Sequence, residues 1–176
     1  CGVGLTILAT AVDTGGHHTN DVYQFCRVRR WRNVFAIKGA SKPGKPPIAQ
    51  RPSMVDVTWR GQTERNGAEL WFVGTDTAKD WIYNRYPFES GPGALHFAKD
   101  LPEDFFAQCV AERRITRYVK NKPVTEWIKG KSERNEALDL MVYCLAMAHY
   151  LGLDRYKERD WDRVSQALAQ SELFAD

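Results

Sequence analysis

An α/β fold, with a central sheet flanked by helices, is what the sequence predicts, and three observations carry that reading. Leu5-Thr-Ile-Leu-Ala-Thr-Ala-Val12 is a nearly continuous apolar and β-branched run, of the kind a central strand buried on both faces requires. Val34-Phe-Ala-Ile37 and Glu69-Leu-Trp-Phe-Val73 are two further short apolar runs bounded by polar and turn residues. Helical patterns alternate with these runs, the clearest being Arg134 to Tyr150. There Asn135 suits an N-cap, Leu138, Val142 and Leu145 fall at i, i+4 and i+7, and Gly152 supplies a stop. This helix also carries Asp139, with Glu136 one turn earlier on roughly the same side. A carboxylate among Leu138, Leu140 and Met141 is costly to desolvate unless a cation or hydrogen-bond donors receive it. A helix with its acids on the solvated side is the competing reading.

The chain of 176 residues suits one domain with a substantial core, and its 43% hydrophobic and 27% charged residues fit an ordinary globular protein. No apolar run reaches about 18 residues, so no membrane-spanning helix is expected. The first residue is Cys1 rather than Met and a strand-like run follows at once, so a fragment of a longer polypeptide is expected. Cys1, Cys26, Cys109 and Cys144 form no CxxC pair, which reads as reduced, intracellular thiols and poor zinc ligands. The net charge of +3 conceals an asymmetry. Arg27 to Arg51 holds eight Lys or Arg and no acid, and Arg113 to Arg134 holds eight more against Glu126 and Glu133. Residues 151–176, in contrast, carry four basic and six acidic side chains. Two basic stretches on one domain suit a polyanion such as nucleic acid, with a generic solvated surface as the alternative.

In chain order, the first apolar run ends at Asp13-Thr14-Gly15-Gly16, an acid and paired glycines where α/β sheets place ligands. A structural turn aspartate is the competing reading. His17 and His18 follow, as metal or phosphate contacts or as plain loop histidines, and Thr19 or Asn20 caps a helix running to Trp31. After the second run, Gly39-x4-Gly44-Lys45 imitates a phosphate-cradling loop, but Pro46 stands where magnesium needs a hydroxyl and a helix must continue. An ATP site is therefore excluded there, and a mobile basic loop beside nucleic acid is expected instead. Met54 to Trp59 and Glu69 to Val73 frame a hairpin with Arg60 to Ala68 as its polar connection. Its second arm hands over at Gly74-Thr75-Asp76-Thr77 to a helix over 78–86, for which Asp76 or Thr77 is the N-cap. Leu95 to Phe97 reads as a short strand, Glu103 to Arg114 as a helix, and residues 115–119 and 124–128 as a basic hairpin around Asn121-Lys122-Pro123. A last amphipathic, acidic helix carries Trp161, Val164, Leu168 and Phe174.

Asp13, Asp76 and Asp139 thus stand at two strand ends and in a helix. If such acids converge, their mutual repulsion calls for cations, and oxygen-only donors favour magnesium or manganese over zinc. Two divalent cations would clamp the attacking and leaving oxygens of a phosphodiester displacement.

Several segments together resemble the C-terminal nuclease domain of the large terminase subunits of tailed phages, in the lambda-like GpA class. They are Val12-Asp-Thr-Gly-Gly-His17, Ala36-Ile-Lys-Gly39, Val73-Gly-Thr-Asp-Thr-Ala-Lys79 with Ile82-Tyr-Asn-Arg85, Pro92-Gly-Ala-Leu-His-Phe97, and Arg134-Asn-Glu-Ala-Leu-Asp139 with Tyr143, in family order over roughly residues 5–153. The resemblance implies a ribonuclease-H-like fold, a mixed central sheet flanked by helices, over residues 1–153; residues 154–176 fall outside it and read as a C-terminal amphipathic helix or tail. It implies metal-dependent cleavage of concatemeric viral DNA during packaging, in the host cytoplasm, with two Mg2+ or Mn2+ ions. Asp13, Asp76 and Asp139 match the family's metal-binding acids. Glu69 and Asp80 are alternatives to Asp76, and Glu136 is a further ligand or a helix cap. Double-stranded DNA would meet Arg29, Arg30, Lys38, Lys42, Lys45, Lys79, Arg117, Lys120, Lys122 and Arg134. The family's other partners are an ATPase domain N-terminal to this one, the small terminase subunit and the portal. A Holliday-junction resolvase or other ribonuclease-H-like nuclease, the resolvase told apart by junction-specific cutting, and a non-catalytic nucleic-acid-binding module, told apart by the absence of cleavage, are the competing readings.

Overall fold

The computed structural model describes residues 6–172. In order, its elements are β1 (Thr10–Asp13), α1 (Thr19–Arg27), a 3-10 turn at Arg30–Arg32, β2 (Val34–Gly39), β3 (Ser53–Trp59) and β4 (Gln62–Val73). Next come α2 (Thr75–Tyr83), α3 (Glu103–Cys109), β5 (Glu112–Val119), β6 (Lys122–Lys129), α4 (Glu136–Tyr150), a 3-10 turn at Leu153–Arg155 and α5 (Glu158–Glu172). The main sheet has the order β1-β2-β4-β3, with β1, β2 and β4 parallel and β3 antiparallel to β4. It is a mixed sheet flanked by helices.

The strand buried on both faces is β2 rather than β1. Phe35, Ala36 and Ile37 are all buried, as expected of a strand with neighbours on both sides. The run that begins the sequence was expected to hold that central place. Among the described residues it pairs with β2 alone, from Thr10 onward, while Ile7 and Leu8 are exposed. Pairing stops there because Asn33 takes a left-handed conformation (φ 55°) and its side-chain amide donates to the Leu8 carbonyl, turning the chain away before β2 starts. Leu5 lies outside the described residues.

Alternation along the strands divides the core in two. Phe35, Ile37 and Val73 face α2 and α4 and meet Ala78, Ile82, Leu138, Val142 and Ala146 there. Ala36 and Leu70 face the other way, onto Cys26 and Val22 of α1. The rings of Phe35, Trp71 and Tyr150 close the first layer, with centroids 4.5 to 5.9 Å apart. In α4 the buried residues Leu138 and Val142 follow the predicted period.

Both hairpins are tighter than the sequence indicated. The polar stretch before Ala68 is strand, and β3 turns into β4 over Arg60 and Gly61, both at positive φ. Likewise β5 turns into β6 over Lys120 and Asn121, both left-handed, so Lys122 and Pro123 belong to the strand. These are the backbone signs of two-residue turns that follow the strand twist. Helix α3 ends at Cys109, not Arg114, because Glu112 onward is taken up by the ladder with β6. Residues 95–97 form no strand; Phe97 instead sets its ring against Phe105 and Phe106 of α3. Helix α1 ends at Arg27, short of the predicted Trp31.

Helix α2 begins at Thr75, three residues earlier than the sequence indicated, with Gly74 at the N-cap. The basic stretch 41–50 crosses this point. Ala40 N–H donates to Val73, Ala49 N–H to Phe72 and Gly74 N–H to Pro46, so the expected mobile loop has its backbone tied to the end of β4 while Lys42 and Lys45 remain exposed. A side chain at Gly74 has no room, since a Cβ there would run into the Lys45 and Pro46 carbonyls. Gly74→Ala should therefore lower the unfolding free energy by roughly 1–3 kcal/mol or more. Urea denaturation reads this, and an unchanged midpoint would show that the loop does not press on this turn.

Candidate active site

Parallel strands end on the same side of a sheet, so β1, β2 and β4 deliver Asp13, Gly39 and Val73 to one edge. Asp13 is the last residue of β1, and its Oδ1 accepts the Gly15 N–H at 3.1 Å. Gly15 permits this close turn, because a Cβ there would lie 3.2 Å from Oδ2 of Asp13. The next residue, Thr14, is buried and anchors the turn, its hydroxyl and its N–H both donating to the Ile37 carbonyl. Asp13 itself remains exposed.

Asp139 arrives from α4, which crosses beside β1. Its N–H closes the first helical turn onto the Asn135 carbonyl. Asn135 occupies the predicted N-cap position, but its side chain does not cap the helix. The amide instead donates to Oδ2 of Asp139 at 3.1 Å and to Oε1 of Glu112 at 2.7 Å. Gln108 of α3 takes over the vacated role, accepting the Ala137 N–H at 3.2 Å. Oε1 of Glu112 also receives the Lys79 ammonium at 2.7 Å, and Lys79 Nζ lies 3.8 Å from Oδ1 of Asp139. Glu112, Lys79, Asp139 and Asn135 therefore form a closed ring, in which Lys79 and Glu112 are buried and Asp139 is 38% exposed.

The charge of Asp13 is felt at Asp139. Burial pushes the Asp139 carboxyl above the usual carboxylate range; the Lys79 ammonium opposes this, while Glu112, Asp13 and Glu136 add to it. Tyr143, one turn along α4, joins the pair. Burial, the charges of Asp13 and Asp139 and the hydrogen bond to Asp13 all raise its phenol, leaving a neutral O–H that donates to the carboxylate. Two carboxylates at an open edge, short of positive charge, are hard oxygen donors of the kind magnesium and manganese take.

The other predicted residues lie around this pair. Asp76 is in the first turn of α2 and partly buried, while Gly74 holds the N-cap position. The strand leading to it, β4, is separated from β1 by β2, about 10 Å of sheet. Among the described residues no three His, Cys, Asp or Glu stand close enough to share one ion. Of the alternatives to Asp76, Glu69 pairs with Arg30 at 2.8 Å and Asp80 with Arg114 at 3.4 Å. Glu136 is exposed and pairs with Arg134 at 3.2 Å. His17 and His18 are exposed, and Nδ1 of His18 lies 3.3 Å from Asp21. Arg29 covers the Phe25 ring, and Arg29 and Arg30 precede β2, so they sit at the opposite end of the strands from Asp13. Lys38, Lys42, Lys45, Lys120 and Lys122 are exposed, and Arg117 pairs with Glu126 at 2.7 Å. Lys79, expected on the DNA, is instead enclosed in the ring described above. Sequence reasoning missed Glu112 altogether, because it fell within the helix expected over Glu103 to Arg114 rather than at the start of a strand.

The description "Terminase large subunit gpA, endonuclease domain" matches residues 1–161. This chain belongs to the GpA endonuclease family. It is 37% identical over 155 residues to the terminase large subunit of Escherichia phage lambda and 34% identical over 154 residues to that of Enterobacteria phage P21. In both cases the match covers 82% of this chain but only 22% of the relative. No solved structure matches. For this GpA endonuclease domain, the two acids and their ring are the place where strand ends and helix bring chemistry together.

The ring generates a stability prediction. An acid whose folded pKa is raised contributes stability below its unfolded pKa and loses it as pH rises through the folded value. With divalent cations chelated, Asp139→Asn should therefore melt at a higher temperature than the parent at pH 7.5, and the difference should shrink as the pH is lowered toward 4. Calorimetry across that range checks it, and a variant less stable at pH 7.5 would mean that the Asp139 charge is well satisfied.

Proposed function

We propose that this GpA endonuclease domain cuts double-stranded DNA by metal-dependent phosphodiester hydrolysis, as the part of a terminase that severs concatemeric viral DNA. One observation carries the reading: Asp13, exposed where β1 ends, is near enough to α4 for its charge to be felt at Asp139 and for Tyr143 of that helix to hydrogen-bond it. Magnesium is commonly held by one or two carboxylates, with water and substrate phosphate completing its shell, and this pair fits that pattern. Asp13 and Asp139 would hold the cation, which when bound withdraws charge from the scissile phosphate. The two-cation form of the reaction needs a further carboxylate, for which Asp76 and Glu136 are the residues proposed.

The protein's own groups have definable tasks. Asn135 fixes the rotation of the Asp139 carboxylate through Oδ2, and Tyr143 fixes Asp13. Lys42 and Lys45 on the loop that crosses the end of β4, and Lys120 and Lys122 at the tip of the hairpin, are exposed point charges suited to the phosphate backbone rather than to base edges. The fold is read as ribonuclease-H-like on the same grounds, acids at a parallel-strand edge opposed by an acid on a covering helix. In a whole terminase this unit would act beside an ATPase domain, a small subunit and a portal.

Plasmid cleavage tests the reading. Asp13→Asn and Asp139→Asn should each lose at least ~100-fold in rate, the scale for removing a group that supports charge development in the transition state. Manganese should replace magnesium, whereas calcium should permit DNA binding with little cutting, because its looser coordination does not hold the nucleophile in line. Asp76→Asn and Glu136→Gln identify the further carboxylate by which of them is inactive. Full cleavage in excess chelator would contradict the proposal, and strict preference for four-way junctions would favour a resolvase.

A further inference from the structure

We infer that Glu112 is a positioning residue whose task is to hold the Lys79 ammonium away from Asp139, leaving one Asp139 oxygen free for a divalent cation. The inference rests on reading Asp13 and Asp139 as a cation site. It starts from an asymmetry in the ring. Lys79 Nζ makes a 2.7 Å hydrogen bond to Glu112 but stands 3.8 Å from Oδ1 of Asp139, beyond hydrogen-bond distance. Oδ2 of Asp139 is already engaged by Asn135, which the same Glu112 oxygen holds from its other side. Among the described residues, Oδ1 is therefore the oxygen left without a hydrogen-bond donor, and Lys79 is the cation closest to taking it.

Burial decides what happens without Glu112. Lys79 is 8% exposed and Glu112 6% exposed, so neither charge has water to fall back on. An ammonium stripped of its buried partner is strongly disfavoured and moves to the nearest anion. Here that anion is Asp139, whose Oδ1 needs only about 1 Å of approach to complete a normal hydrogen bond. Lys79 would then fill the position that the catalytic cation requires. The neutral Glu112→Gln side chain keeps the shape and can still accept from Asn135, but it gives up the charge that restrains Lys79. The restraint is supplied from a distance, since Glu112 is the first residue of β5 and its carbonyl also receives the Tyr83 hydroxyl at 2.6 Å.

The test is Mn2+ binding to the full chain, followed by the electron paramagnetic resonance signal of the free ion, with no DNA present. Glu112→Gln should weaken Mn2+ binding by about tenfold or more, as expected if the site must first displace a competing ammonium. Lys79→Met should bind Mn2+ at least as tightly as the parent. The double variant Glu112→Gln/Lys79→Met should return to within about threefold of the parent, because the competitor is gone. A purely structural role for Glu112 would leave the double variant as weak as Glu112→Gln, and that result overturns the inference. So does parental affinity in Glu112→Gln while Asp139→Asn has lost it. If Asp139→Asn itself binds Mn2+ like the parent, the cation reading fails and this inference falls with it. Should Glu112→Gln not fold, Lys79→Met carries the test alone, and weaker binding there overturns the inference.

Discussion

A carboxylate in the first turn of a helix whose neighbours enter the core must be received by donors or forced to keep its proton, and that constraint shapes this domain. Leu138 is completely buried and holds the start of α4 against the sheet, while Asp139, the next residue, is only partly exposed. The ring of Glu112, Lys79 and Asn135 receives it, and the charge of Asp13 reaches it from the end of β1. Three separate elements contribute, namely the hairpin strand β5, helix α2 and the start of α4. Their docking against one another is thus tied to the charge state of a single acid. The capping arrangement follows from this, since Asn135 gives its side chain to the ring and Gln108 must supply the acceptor at the helix start.

Topology supplies the other half of the site. Three parallel strands end on one side, and β1 lies at the edge of the sheet among the described residues. An edge position leaves Asp13 open to a long polyanion such as a DNA duplex, which a central strand would enclose. The exposed lysines of the crossing loop lie on a segment tied to the end of β4 through Gly74, and those of the hairpin tip on a hairpin whose first residue, Glu112, belongs to the ring around Asp139. Arg29 and Arg30, in contrast, are spent on Phe25 and Glu69 at the far end of the strands.

How much of this was legible in the sequence depended on whether the deciding contact was local. The apolar run at Val34, the basic hairpin and the period of α4 were readable because side chains a few residues apart determine them. Asp13 and Asp139 stood out as acids beside apolar runs, although nothing local showed that they meet. The first run misled because an apolar stretch does not reveal how many strands flank it, and here Asn33 cuts the pairing short. Residues 95–97 have strand-like composition but no partner strand, and a strand without a partner leaves its backbone groups to water. Glu112 was invisible because its partners lie 33 and 23 residues away. Lys79 looked like any lysine on an amphipathic helix until the fold buried it.

The most direct measurement of the central claim is anomalous scattering from a crystal of this domain soaked in manganese. A manganese peak held by the carboxylates of Asp13 and Asp139 is the expected result. Lys79 should also remain on Glu112 in that crystal. A peak at Asp76 with Asp139 uninvolved, or Lys79 hydrogen-bonded to Asp139 with no ion between the two acids, would contradict that claim.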